Sequence, residues 1–324
     1  MSANPWGDTS QTDTASDPWG GGSEDGLDYL ADRSNEVEQS FDIIRPFDVD
    51  GGIIPLDNMV DSAIDAAVPV LRPFFQVVAK PIDWVLNLFE TALVSTPAIL
   101  VILILSGLAW WLSTRKIGIG TLIGLVIVGL IGAWDQAMTT IALVITSLFF
   151  CVIIGLPIGI WLSRSDRAVS VVRPILDAMQ TTPAFVYLIP IVMLFSPGKV
   201  AGVVVTIIFA VPPVIRLTNL GIRQVPEDLI EAARAFGTSP RQLLLKVQLP
   251  LALPTIMAGV NQTLMLGLSM VVIASMIAVP GLGLMVLQGI GRNDIGIATV
   301  GGLGIVVLAI VLDRITQHIG SNGR

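Results

Sequence analysis

Seven charge-free apolar runs follow one another along the chain, at residues 91–114, 117–134, 136–163, 178–198, 200–215, 247–291 and 295–312. A helix crosses a bilayer with about 20 mostly apolar residues, and about 17 suffice. The short fifth run reaches that length through Leu220 if Arg216 snorkels toward the headgroups. The sixth is long enough for two crossings. Pro250 and Pro254 near its start and Pro280-Gly281-Leu282-Gly283 near its end favour one helix of about 25 residues followed by a non-helical segment. The pattern predicts an all-α polytopic membrane protein with about seven spans.

Before the runs the pattern differs. Residues 1–52 are rich in Ser, Thr, Asp and Gly and hold too little apolar surface to offset the entropy of ordering, so they read as a disordered acidic extension. No basic stretch followed by an apolar core marks a cleavable signal. Over residues 53–94, Met59, Val60, Ala63, Ile64 and Ala67 recur at helical spacing opposite Asp57, Asp61 and Asp65, followed by Ile82, Val85, Leu86 and Phe89. That spacing suits amphipathic helices at a membrane surface, and equally soluble helices packed on one another. Residues 95–317 form the transmembrane domain and 318–324 a short tail.

Charge sets the orientation. Residues 1–96 hold 17 Asp or Glu against 4 Lys or Arg, whereas residues 97–324 hold 8 against 14. With the N-terminus outside, eleven basic residues fall in inward loops and the tail: Arg115, Lys116, Arg164, Arg167, Arg173, Arg223, Arg234, Arg241, Lys246, Arg314 and Arg324. Only Lys199 and Arg292 face outward. Basic residues stay on the cytoplasmic side, which places the N-terminus in the periplasm and the C-terminus in the cytoplasm of a cell inner membrane. Trp110, Trp111, Trp134 and Trp161 fall at span ends, where indole rings anchor in the headgroup region.

Composition removes several classes of chemistry. The single cysteine, Cys151, forms no intrachain disulfide, and the single histidine, His318, has no Cys/His cluster for a metal site. Neither paired catalytic carboxylates nor a Ser/His pair lies within the spans, so an intramembrane enzyme is not indicated. A secondary transporter would carry ionisable groups inside its spans, and here only Arg216 and Asp313 come close, near span ends where snorkelling accounts for them.

The segment 224–250 is too polar for membrane and too specified for a connector. Pro226 suits a first helical turn, with Glu227 and Asp228 where the helix dipole favours anions. The helix runs through Glu231, Ala232, Ala233 and Arg234 and stops at Gly237. Ser239 caps a second helix, with Pro240 at its first position and Gln242 at capping-box spacing. Small alanines admit a close partner surface, and Glu231 and Arg234 form a charged rim. A DNA-reading helix-turn-helix has a similar look, but this segment is tied to spans at both ends, which excludes nucleic acid.

Glu231-Ala232-Ala233, Gly237, Val247 and Leu249-Pro250 at this spacing resemble the cytoplasmic loop signature of permease subunits of bacterial ABC importers, with Val247 where isoleucine is usual. The resemblance extends over residues 135–313. Leu176-Asp-Ala-Met-Gln-Thr-Thr-Pro-Ala-Phe-Val-Tyr187 and Gly259-Val-Asn-Gln-Thr-Leu-Met265 are similar to the inner-membrane permeases of glycine betaine/proline betaine importers, as is the acidic N-terminal extension. Pro280 departs from the small residue expected there. The resemblance implies a non-enzymatic subunit that pairs with a second copy, docks two ATP-binding subunits through Glu231, Ala232, Ala233, Arg234, Gly237, Leu249 and Pro250, and receives a betaine from a periplasmic binding protein. ATP and Mg would then lie in the partner subunit. The chain agrees in lacking a phosphate loop, since Gly198-Lys199 is followed by Val200. For the substrate path, Phe185 and Tyr187 after the break Thr181-Thr182-Pro183 could hold a quaternary ammonium by cation-π contact, although aromatics there also serve lipid or helix packing.

Overall fold

The structure, a computed structural model, describes residues 56–321. The expectations for residues 1–52 and for the tail beyond Ser321 lie outside the described residues. Residues 66–324 cluster as one compact unit. Of the separate unit 1–65, the described part is the start of helix α1, Leu56–Val94.

All seven apolar runs become helical over much of their length, and no strand occurs among the described residues. They form α2 (Ala98–Leu112), α3 (Arg115–Leu130), α4 (Trp134–Ser163), α6 (Ala184–Phe195), α7 (Lys199–Arg223), α10 (Leu249–Ala274) and α12 (Ile295–Ser321). Between them lie α5 (Asp166–Thr181), α8 (Glu227–Ala235), α9 (Pro240–Leu243) and α11 (Leu282–Gly291).

Four helical stretches are long and apolar enough to cross a membrane, at Trp134–Ser163, Lys199–Arg223, Pro240–Ile277 and Ile295–Gln317. Counting each of two bent pairs as one span gives up to six: Ala66–Val94 with Ala98–Leu112, at 109°, and Asp166–Thr181 with Ala184–Phe195, at 98°. Proline sets both bends. Pro97 and Pro183 occupy the N-cap positions of α2 and α6, where a missing N–H costs nothing at a helix start but would break a continuing one. The second run gives a 16-residue helix, α3, which at 1.5 Å per residue spans about 24 Å and ends before Gly132, at φ +77°.

The sixth run holds one long helix, as expected, but its end is not irregular throughout. After a 3₁₀ turn, Ser275–Ile277, and left-handed Ala278, Gly281 opens the ten-residue helix α11. Thr140 on α4 accepts the Leu282 N–H at 2.9 Å, satisfying a donor exposed by the break. α11 then forms an antiparallel hairpin with α12, Gly289 lying against Ala298 and Gly301 against Leu282.

α7 is the axis of the bundle, with 67% of its most apolar window buried, against α4 and α10. Lipid tails are as apolar as leucine, so helices associate here through close packing and hydrogen bonds and not through a hydrophobic drive. Gly159 supplies the closest approach of α4 to α7. A Cβ there would stand 2.6 Å from Thr218 Cβ and 2.9 Å from the Ile215 carbonyl oxygen. The Thr263 hydroxyl on α10 donates to the Ala210 carbonyl on α7 at 2.8 Å. Asn261 Nδ2 donates to Asp313 at 3.0 Å, Gln317 donates to both oxygens of that carboxylate, and the Thr316 hydroxyl donates to Asn261 Oδ1. Asp313 therefore has donors from two helices, which snorkelling alone does not supply.

At the other end of the bundle Lys199 Nζ lies 2.7 and 2.8 Å from the two Glu90 oxygens, tying α1 to α7. Ile82 and Leu86 on the same half of α1 are buried in the main core, while Val70, Phe74, Val77 and Trp84 are exposed. Around Ile82 and Leu86 α1 thus packs one face on the bundle, and its exposed apolar face runs from Val70 to Trp84.

Candidate functional site

The segment 224–250 is built as its local signals dictate. α8 begins after Pro226, with Glu227 and Asp228 in its first turn, and buries none of its residues. It ends in a Schellman turn: Gly237 takes φ +77°, its N–H donates to the Arg234 carbonyl at 2.9 Å, and the Thr238 N–H donates to the Ala233 carbonyl at 3.2 Å. The Thr238 hydroxyl donates to that same carbonyl at 2.7 Å. Ser239 and Gln242 close a reciprocal capping box at 3.3 and 2.9 Å. Glu231, Ala232, Arg234 and Gly237 are exposed, Ala233 is half-buried, and Phe236 stands 90% exposed at the tip.

The second helix is not a separate element. α9 passes through a π turn, Leu244–Gln248, directly into α10, so Pro240–Ile277 is one continuous rod. Pro250 has no N–H to offer the Lys246 carbonyl, and a widened turn accommodates such a missing bond. Leu249 packs with Leu244 against buried Ile222, Ala252 and Ile256, whereas Pro250 is exposed. The exposed two-helix segment is thereby joined rigidly to a span that packs on the central helix.

Beside it lies a cavity of about 310 Å³ bounded by α4, α5 and α7. Arg216 Nη2 contacts Asp177 Oδ1 at 2.6 Å, while Arg216 Nε is buried without a partner among the described residues. Arg173 lines the same cavity. A neighbouring pair, Arg223 and Asp166 at 2.5 Å, is reinforced by an Arg223 bond to the Leu162 carbonyl at 3.0 Å. Both pairs fasten the amphipathic helix α5 to α7. Sequence reasoning missed them because the partners stand 39 and 57 residues apart, with no local signal linking them.

Phe185 and Tyr187 are not brought together. Residues two apart on a helix face different ways. Phe185 is 52% exposed, while the Tyr187 ring packs on the core and its hydroxyl donates to the Ala178 carbonyl at 3.2 Å. Thr182 donates to that carbonyl as well, at 2.8 Å. Tyr187 accordingly braces the bend between α5 and α6.

Residues 152–322 match the family of the binding-protein-dependent transport system inner membrane component. The chain is 58% identical to the glycine betaine/proline betaine transport system permease protein ProW of Escherichia coli K12, covering 99% of this chain and 92% of that protein. It is 48% identical to the glycine betaine transport system permease protein OpuAB of Bacillus subtilis 168, covering 82% and 94%. Among solved structures, the native CY5 crystal form of the inward-facing MetNI methionine ABC transporter matches with a TM-score of 0.51 and 27% identity, over 59% of this chain and 93% of that one.

Proposed function

This chain belongs to the family of binding-protein-dependent transport system inner membrane components, and we propose from that premise that it imports glycine betaine and proline betaine across the inner membrane. Membership makes it a transport subunit that works with ATP-binding subunits and a solute-binding protein. In the proposed assembly two copies pair, two ATP-binding subunits that carry ATP and Mg dock on the exposed 224–250 segments, and a periplasmic binding protein delivers the solute. The observation that carries this reading is the continuity of the docking surface with α10. A partner that displaces α8 and α9 moves a rod packed against the central helix, which suits alternating access.

The direct experiment is reconstitution with the ATP-binding and solute-binding partners. ATP-dependent uptake of labelled glycine betaine, with no uptake of labelled methionine, is the expected result. Uptake of neither solute, in vesicles where the complex hydrolyses ATP, would exclude the betaine assignment.

For orientation, cysteines are best placed where the backbone tolerates them, which Gly198 at φ +134° does not. In a Cys151→Ser background, Arg292→Cys should react from outside intact cells with an impermeant thiol reagent, and Arg241→Cys only after lysis. The reverse pattern would invert the topology.

For the path, Tyr187→Phe should keep most uptake, because the ring face remains and only the brace to Ala178 is lost. Tyr187→Ala removes the ring face as well, and with it roughly 0.5 to 2 kcal/mol of cation-π interaction beyond the loss of its packing on the core. Equal uptake by the alanine variant at matched expression would remove Tyr187 from the path.

A further inference from the structure

α3 and α12 touch closely at one level and part toward their basic ends. At Gly124 a Cβ would lie 3.0 Å from Val307 and 3.2 Å from Val311, so the helices are in contact there. One turn nearer the end, at Gly120, a Cβ would meet nothing within 4 Å. The gap is a cavity of about 310 Å³ with Lys116 and Arg314 among its lining residues.

Three observations specify what fits it. First, no carboxylate lines the cavity, and neither Lys116 nor Arg314 has an ion-pair partner among the described residues. The adjacent Asp313 is engaged by Asn261 on α10 and by Gln317, and the guanidinium of Arg115 sits 5.7 Å from the Trp110 ring centroid. Second, Thr121 lines the cavity, is 2% exposed, and its hydroxyl has no hydrogen-bond partner among the described residues. It lies five residues from Lys116, about 7.5 Å deeper along the helix. Third, the surface below is apolar and outward-facing, with Ile123 on α3 and Ile310, Val306 and Leu303 on α12 all exposed.

Two free cations at the headgroup level, an unsatisfied hydroxyl one to two turns deeper and an apolar track beyond match the parts of one molecule. We propose that this cavity binds an anionic phospholipid. Its phosphate lies between Lys116 and Arg314, near the α3 N-terminus where the helix dipole also favours an anion. A glycerol ester oxygen accepts the Thr121 hydroxyl, and the acyl chains follow the exposed faces of α3 and α12.

The test is native mass spectrometry of the full-length chain from detergent micelles holding equal amounts of phosphatidylglycerol and phosphatidylcholine. Wild-type protein should retain phosphatidylglycerol in preference, by on the order of tenfold. The Lys116→Gln/Arg314→Gln variant should bring the two lipids to parity. Gly120→Leu, which fills the cavity and keeps both charges, should also lose the preference while eluting as wild type on size exclusion. Parity in the wild type, or an unchanged preference in either variant, would overturn the site. Displacement of the lipid by millimolar inorganic phosphate would assign the cavity to a soluble anion and overturn the lipid assignment.

Discussion

Replacing Gly237 with aspartate should sever ATP hydrolysis from uptake without unfolding the chain. A Cβ at this position meets nothing within 4 Å, so the isolated subunit feels only the left-handed backbone, on the order of 1 kcal/mol for a residue other than glycine. Aspartate is among the residues that tolerate that region best. In the proposed assembly the same carboxylate would be pressed against the ATP-binding subunit, and an uncompensated charge in a closed interface costs about 2 to 5 kcal/mol. Uptake should therefore fall at least about tenfold, a loss of about 1.4 kcal/mol being enough. The ATP-binding subunit should dissociate in pull-downs, or its ATPase activity should cease to respond to loaded binding protein. Ala232→Glu, on the exposed face of α8, should behave alike. Gly237→Asn, which keeps the turn and adds no charge, should retain most function. Full uptake and full substrate-stimulated ATPase activity in Gly237→Asp would remove the segment from coupling.

The second large effect is on stability. Gly159→Leu must drive α4 and α7 apart, since a Cβ alone already stands 2.6 Å from Thr218 and 2.9 Å from a carbonyl that cannot move without the helix. Overpacking of this kind costs about 1 to 3 kcal/mol, and more where backbone is the obstacle. The apparent melting midpoint, read as monodisperse protein remaining after heating, should drop by roughly 5 °C or more. Thr218→Gly should recover part of the loss, because it removes the nearest atoms. Gly107→Leu on α2 is the matched control and should leave the midpoint unchanged, as its Cβ enters open space. Equal midpoints for Gly159→Leu and wild type would mean that α4 and α7 are not packed at this position.

The two short helices of the 224–250 segment were legible because their causes are local. Gly237, Ser239, Pro240 and Gln242 each act within a few residues, and the Schellman turn and capping box follow. The same locality hides what happens next. That α9 runs through a π turn into α10 depends on Leu244 and Leu249 finding Ile222, Ala252 and Ile256. Gly155 and Gly159, four residues apart, open one face of α4 to close contact, and such spacing cannot say whether the partner is a second copy or, as here, Val214 and Thr218 of the same chain. Likewise Phe185 and Tyr187 shared a short aromatic stretch, but the bend at Pro183 leaves one outward and turns the other back on Ala178.

The sequence by itself determined that this is an α-helical membrane protein, which runs are apolar enough to enter the bilayer, and where the exposed turn must form. Each follows from run length, charge or a single residue's backbone preference, and these act over a few residues at most. Only the tertiary structure decided that two apolar helix pairs bend, that Arg216 meets Asp177 and Glu90 meets Lys199, and that α3 and α12 part above Gly124. Inside a bilayer apolar side chains gain little by choosing one neighbour over another, so helix partners are fixed by close packing and by the few polar groups that must find each other across long stretches of chain.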